Sequence, residues 1–147
     1  MSLLDQELIN DIELARETLA NTDYSIVVIR YGKIISTKKG NGLKPILETI
    51  EELGDELKDT IVGDRILGKA SALMLRYSNV KAAYSPQATK TAIALMIMGG
   101  IPCQVDKLIP FIQNRAKDGM CPFEKMLKEV DTPEEAHKIL MEKVLNK

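Results

Sequence analysis

Two short runs, at 25–30 (Ser-Ile-Val-Val-Ile-Arg) and 33–37 (Lys-Ile-Ile-Ser-Thr), meet at Tyr31-Gly32 and constrain the chain more than any other feature. Both are rich in β-branched residues, which suit a pleated, half-buried surface. Gly32 offers the positive φ of a tight turn, so an antiparallel hairpin is predicted. Leu4, Leu8, Ile12, Ala15 and Leu19 ahead of it recur at helical spacing with acids between them, which predicts an amphipathic helix. Beyond the hairpin the pattern alternates. Pro45 fits the first turn of a helix whose stripe is Leu43, Ile46, Leu47, Ile50 and Leu53. Strands are predicted at 60–64, 80–84 and 101–105, with helices at 68–76, from Gln87 to Met98, and more weakly at 106–115 because of Pro110. Ser85-Pro86 is the expected start of the 87–98 helix, and Cys121-Pro122 and Thr132-Pro133 start two more. Alternation after a hairpin predicts an α/β fold with a mixed sheet and helices on both faces. The 147 residues are read as one domain, with an N-terminal helix over 1–21 and C-terminal helices over 121–147 packed on it.

Composition removes whole classes of function. One His and two Cys cannot supply a four-ligand Cys/His zinc site or a disulfide framework. Aromatics at 4 % argue against stacking platforms for single strands, and a net charge of −1 gives no field for DNA or anionic lipid. Acids are scattered through the first 11 residues, unlike a signal peptide, and no apolar run approaches the roughly 20 residues of a membrane span. The expectation is a cytoplasmic protein with both cysteines reduced and no partner in membrane or nucleic acid.

Three segments carry candidate chemistry. Gly63-x-x-x-x-Gly68-Lys69 lies between a predicted strand and helix, the context of a phosphate loop. Ala70 stands where a hydroxyl should hold magnesium, and Ile66 and Leu67 put bulk where the loop should wrap, so a nucleoside triphosphatase is disfavoured. Free amides at the Gly68 helix start could still hold an anion with Lys69, or Gly68 could simply permit close packing; both readings stay open. Gly40-Asn41-Gly42, among Lys38, Lys39 and Lys44, could hold an anion but reads better as a solvated turn. In the third segment Asn114 and Arg115 would orient a ligand, and Cys121 would stand at a helix N-cap where the dipole favours a thiolate. Glu124, nearby, opposes that charge. His137 and Cys103 read as helix and core residues without a catalytic part.

The stretches Tyr31-Gly-Lys33, 40–45, 63–73, 80–86, and 106–110 through Asn114-Arg115 to 121–124 together resemble a small uncharacterised prokaryotic family with the cytidine-deaminase fold. The resemblance implies a three-layer α/β/α sandwich around a mixed five-stranded sheet. It implies no established activity. Deaminases of this fold hold zinc through H-x-E at one helix start and P-C-x-x-C at another. By element order these fall near Gly68-Lys69-Ala70 and Pro86-Gln87-Ala88-Thr89, where no His, Cys or Glu stands. The expected protein is therefore a zinc-free, cofactor-free domain that binds a small polar or anionic, nucleotide-like ligand. Its expected site gathers Asp64, Lys69, Ser71, Ser85, Thr89, Asn114, Arg115 and Cys121. Two other readings remain: a metal-independent enzyme using Cys121 or Asp64, and an interaction protein forming a homodimer through apolar helix faces.

Overall fold

The computed structural model describes residues 3–113, 119 and 121–147. The hairpin forms as expected, with β1 (Ile26–Arg30) antiparallel to β2 (Lys33–Lys38). Tyr31 and Gly32 both adopt positive φ at the turn, the geometry of a tight primed connection. Helix α1 (Leu3–Asn21) precedes it, and α2 (Lys44–Leu53) follows with a proline in its first turn. The remaining elements are β3 (Ile61–Asp64), α3 (Lys69–Tyr77), β4 (Ala82–Thr89), α4 (Lys90–Met98), β5 (Cys103–Ile109), α5 (Pro122–Met126) and α6 (Pro133–Leu145).

The five strands form one sheet in the order β2-β1-β3-β4-β5. β1 is antiparallel to β3, while β3, β4 and β5 run parallel, so the sheet is mixed. Alternate residues divide the core. Val27, Ile29, Ile61 and Tyr84 face α1 with its Ile12, Ala15 and Leu19. Ile26, Val28, Val62 and Ala83 face the other way, into a larger core with α2, α3, α4 and α6. The result is a three-layer α/β/α arrangement. Gly63 belongs to the α1 layer for a packing reason: a Cβ there would lie 2.9 Å from Val27 and 3.2 Å from Leu19.

Two boundaries differ from the sequence reading. β4 runs through Ser85-Pro86 to Thr89, so the helix begins at Lys90 and not at Gln87. β3 pairs with β4 only as far as Gly63↔Tyr84, and Leu67 bridges later to Ala88. Pro86 thus falls in a gap of that ladder, where its missing N–H leaves no bond unmade. β5 continues to Ile109 in place of the helix predicted from residue 106. Asp106 is held in extended chain by Tyr84, whose hydroxyl donates to it at 2.5 Å, and by Arg16 from α1 at 2.7 Å. Pro110 then ends the strand, and the rest of that predicted helix beyond residue 113 lies outside the described residues.

α6 is fixed to α3 by Ala136, Leu140 and a stacked pair, Tyr77 and His137, with ring centroids 4.0 Å apart. Burial holds the His137 pKa below its ordinary value, opposed by Glu51. A depressed histidine contributes stability that is present above its unfolded pKa and lost as the pH falls through the folded one. Between pH 7.5 and 5.5 the wild type should therefore lose stability relative to His137→Phe, a difference read by urea denaturation at the two pH values.

Candidate functional site

The carboxyl ends of β3, β4 and β5 gather most of the residues singled out from sequence, as open parallel sheets generally do for their ligand sites. Asp64 is the last residue of β3 and comes just after the Gly63↔Tyr84 pair. It is half-buried by surface area, yet protein surrounds it so densely that desolvation pushes its carboxyl up to about 7. Hydrogen bonds from the Ser71 hydroxyl and the Ile66 amide pull in the opposite direction. Such a group is shielded from bulk water. Ser71 in α3 and Ser85 in β4 are both buried. The Ser85 hydroxyl donates to the Gln87 carbonyl at 2.7 Å. Burial, and then the Asp64 charge, push the Cys103 thiol up to about 11, which makes it inert at neutral pH.

The α3 start is not an open anion site. Glu124, 55 residues further along the chain, places its carboxylate there: Oε1 accepts from the Lys69 amide at 2.8 Å and Oε2 from the Ala70 amide at 3.0 Å. The chain's own anion thus fills the orphan donors and meets the positive end of the helix dipole. Gly68 is required because a Cβ would overlap Glu124 Oε1 and Ile112 Cδ1. Of the two readings of Gly68, close packing is what the geometry displays, though the packing partner is Glu124. The preceding loop is equally committed, since the Leu67 amide donates to Gln87 and the Leu67 carbonyl accepts from Thr89, both at 3.0 Å. No free row of amides is left to cradle phosphates. Lys69 turns its ammonium to the Lys128 carbonyl at 3.1 Å and to Asp131 at 3.2 Å.

The α4 start is different. Thr89 caps it by accepting from the Ala92 amide at 3.1 Å. Lys90, Thr91, Leu108 and Pro110 border a cleft of about 320 Å³ there. A larger cleft, about 600 Å³, lies at the opposite end of the sheet among Arg76, Lys81, Gly100 and Glu134, and contains none of the predicted site residues. Cys121 is the N-cap of α5 with Pro122 in the first turn, as read from sequence, and its amide donates to Ile112 at 2.7 Å. Asn114 and Arg115 lie outside the described residues. In the glycine loop, Lys38 pairs with Glu52 and Lys39 with Asp23, while Gly40 and Gly42 take positive φ.

Neither helix start offers the side chains that hold zinc in deaminases of this fold. Glu124 reaches one helix start with both oxygens spent on amides, and the other start offers Thr89, Lys90 and Thr91. Among the described residues no three His, Cys, Asp or Glu side chains converge. The donor set does not fit a deaminase-type zinc centre.

Sequence reasoning missed Glu124 as the α3 cap, and nothing local signals it. It also missed Arg65, whose guanidinium donates to the Leu19, Thr22 and Tyr24 carbonyls at 2.8–3.0 Å and closes the end of α1. Among the described residues no helix is long and apolar enough to cross a membrane.

A family model described as a domain of unknown function (DUF1893), named TM1506, matches residues 14–144. The chain is similar to the solved structure of a DUF1893 family protein, TM1506 from Thermotoga maritima. The TM-score is 0.84 at 32 % identity, over 91 % of this chain and 90 % of that one. It is similar at lower level to Acinetobacter baumannii RibD, with TM-score 0.48 and 16 % identity over 71 % of this chain and 36 % of that one. A Thermotoga maritima diaminohydroxyphosphoribosylaminopyrimidine deaminase/5-amino-6-(5-phosphoribosylamino)uracil reductase gives 0.46 and 14 %, over 83 % and 40 %. Among curated proteins none matches.

Proposed function

We propose that this chain, which belongs to the DUF1893 family, binds a small polar ligand at the carboxyl ends of β3 and β4, with the Asp64 carboxyl as its recognition group. The observation that carries the reading is the enclosure of Asp64. A carboxyl that titrates near 7 is present in both forms at neutral pH, so it can donate or accept a hydrogen bond. That suits a ligand edge with a donor beside an acceptor, such as an amide or a nucleobase. Ser71 and Ser85 remain in the proposal as buried hydroxyls, Ser71 already bonded to Asp64. An anionic part of the ligand finds its support at the α4 start with Lys90, because Glu124 occupies the α3 start and Lys69 faces Asp131. Asn114 and Arg115 remain in the proposal as donors from the segment that follows β5 in sequence, and Cys121 and Thr89 as its border. A protein of this kind, with Cys103 and Cys121 both free thiols, is at home in the cytoplasm.

A second reading rests on the same titration: Asp64 as a metal-independent general acid or base on the bound ligand, for which a pKa near the working pH is the efficient one. Binding is the step both share. The test is a thermal-shift panel of nucleobases, nucleosides and nucleoside monophosphates at pH 6 and pH 8, on wild type, Asp64→Asn and Lys90→Ala. A hit should weaken at least about tenfold in Asp64→Asn and differ between the two pH values. A hit held equally well by Asp64→Asn would remove Asp64 from the site.

A further inference from the structure

Helix α4 is apolar almost all round, yet only part of it is covered. Ala92, Leu95 and Met96 are buried, while Ile97 is 70 % and Met98 74 % exposed. Its one charged residue is Lys90, at the start. A helix without a polar face is normally enclosed, and adjacent large apolar side chains left this open mark a contact surface.

We propose that this face pairs with the same face of a second copy of the chain. The exposed stripe is Lys90, Thr91, Ala94, Ile97 and Met98. Its spacing is symmetric about Ala94, with members three and four residues to either side. A two-fold axis at Ala94 therefore lays two α4 helices antiparallel with a small residue at the crossing. Such an axis sets Lys90 and Thr91 of one copy against Met98 and Ile97 of the other, which is the self-complementarity an isologous contact requires. The Lys90 stem covers the partner's apolar side chains while its ammonium stays at the α4 start, where the proposed ligand site uses it. No other charge on the helix is buried by this pairing. Nine helical residues span only about 14 Å, so a contact made by this one helix is small beside the ~800 Å² per partner of a standard interface. The dimer is accordingly reversible, and its fraction rises with concentration.

The experiment is sedimentation equilibrium over a wide concentration range on wild type and on the double variant Ile97→Glu, Met98→Glu. Both positions are exposed, so the thermal transition should not move, and the dimer dissociation constant should weaken at least ~100-fold. Ala94→Cys adds a geometric readout: mild oxidation should link two copies through position 94, since the axis passes there. A wild type that stays monomeric at the highest concentration overturns the proposal. So does a dimer that survives the double variant, or an Ala94→Cys protein that dimerises without cross-linking.

Discussion

Gly68→Ala should lower the stability of the fold by about 3 kcal/mol. The backbone at Gly68 has φ −111°, a conformation any residue adopts, so the cost is not conformational. It is steric: the new Cβ would overlap Glu124 Oε1 and Ile112 Cδ1. Overpacking alone costs about 1–3 kcal/mol. Moving Glu124 aside also breaks two hydrogen bonds to a charged acceptor, and leaves the Lys69 and Ala70 amides unpaired, at about 1.5–3 kcal/mol. The two effects overlap, because a displaced Glu124 relieves the clash. Urea denaturation followed by circular dichroism measures the loss. A double-mutant cycle locates it: in a Glu124→Ala background the same glycine change should cost far less, because the clash partner has gone. A loss that is the same in both backgrounds would mean that Gly68 serves something other than the Glu124 cap.

Asp64→Asn should stabilise the protein at pH 8 by about 2–4 kcal/mol and leave it nearly unchanged at pH 4. The folded carboxyl titrates near 7 and the unfolded one near 3.8. Between those values the unfolded chain has released a proton that the native state still holds, so wild-type stability falls as the pH rises through this window and levels off above it. Asparagine keeps the shape of the protonated acid and cannot ionise, so its curve lacks this fall. The upper figure corresponds to the full difference between the two pKa values, and the surface that Asp64 retains argues for the lower half of the range. The His137 contribution has the opposite sign and cancels between the two proteins, which both carry it. A stability difference that does not change with pH would contradict the enclosed state of Asp64.

The sequence carried the sheet and most of its helices because their signals are local. Two β-branched runs around Gly32 and Pro45 in a first turn each declare a geometry within a few residues. Ser85-Pro86 misled for the same reason. Ser-Pro suits a helix start, and only a gap in the β3–β4 ladder makes it suit a strand. Asp106 lacks a strand signature, and it is extended because Tyr84 and Arg16 reach it from β4 and α1. Glu124 closing the α3 start is a contact across 55 residues, which no periodicity can announce. The candidate site was read from sequence as two helix starts, with Asp64, Lys69 and Ser71 at one and Ser85 and Thr89 at the other. It was not legible as an electrostatic arrangement: Lys69 looked like the cation of an anion site, while the fold spends it on Asp131 and the Lys128 carbonyl.

The central claim is that an enclosed, protonatable Asp64 is the group that recognises the ligand, and its premise can be measured directly. Titration of the Asp64 side-chain carboxyl by carbon-detected NMR, assigned with Asp64→Asn, should give a midpoint near 7. A midpoint near the ordinary 3.8 would show a solvated carboxylate and contradict the account.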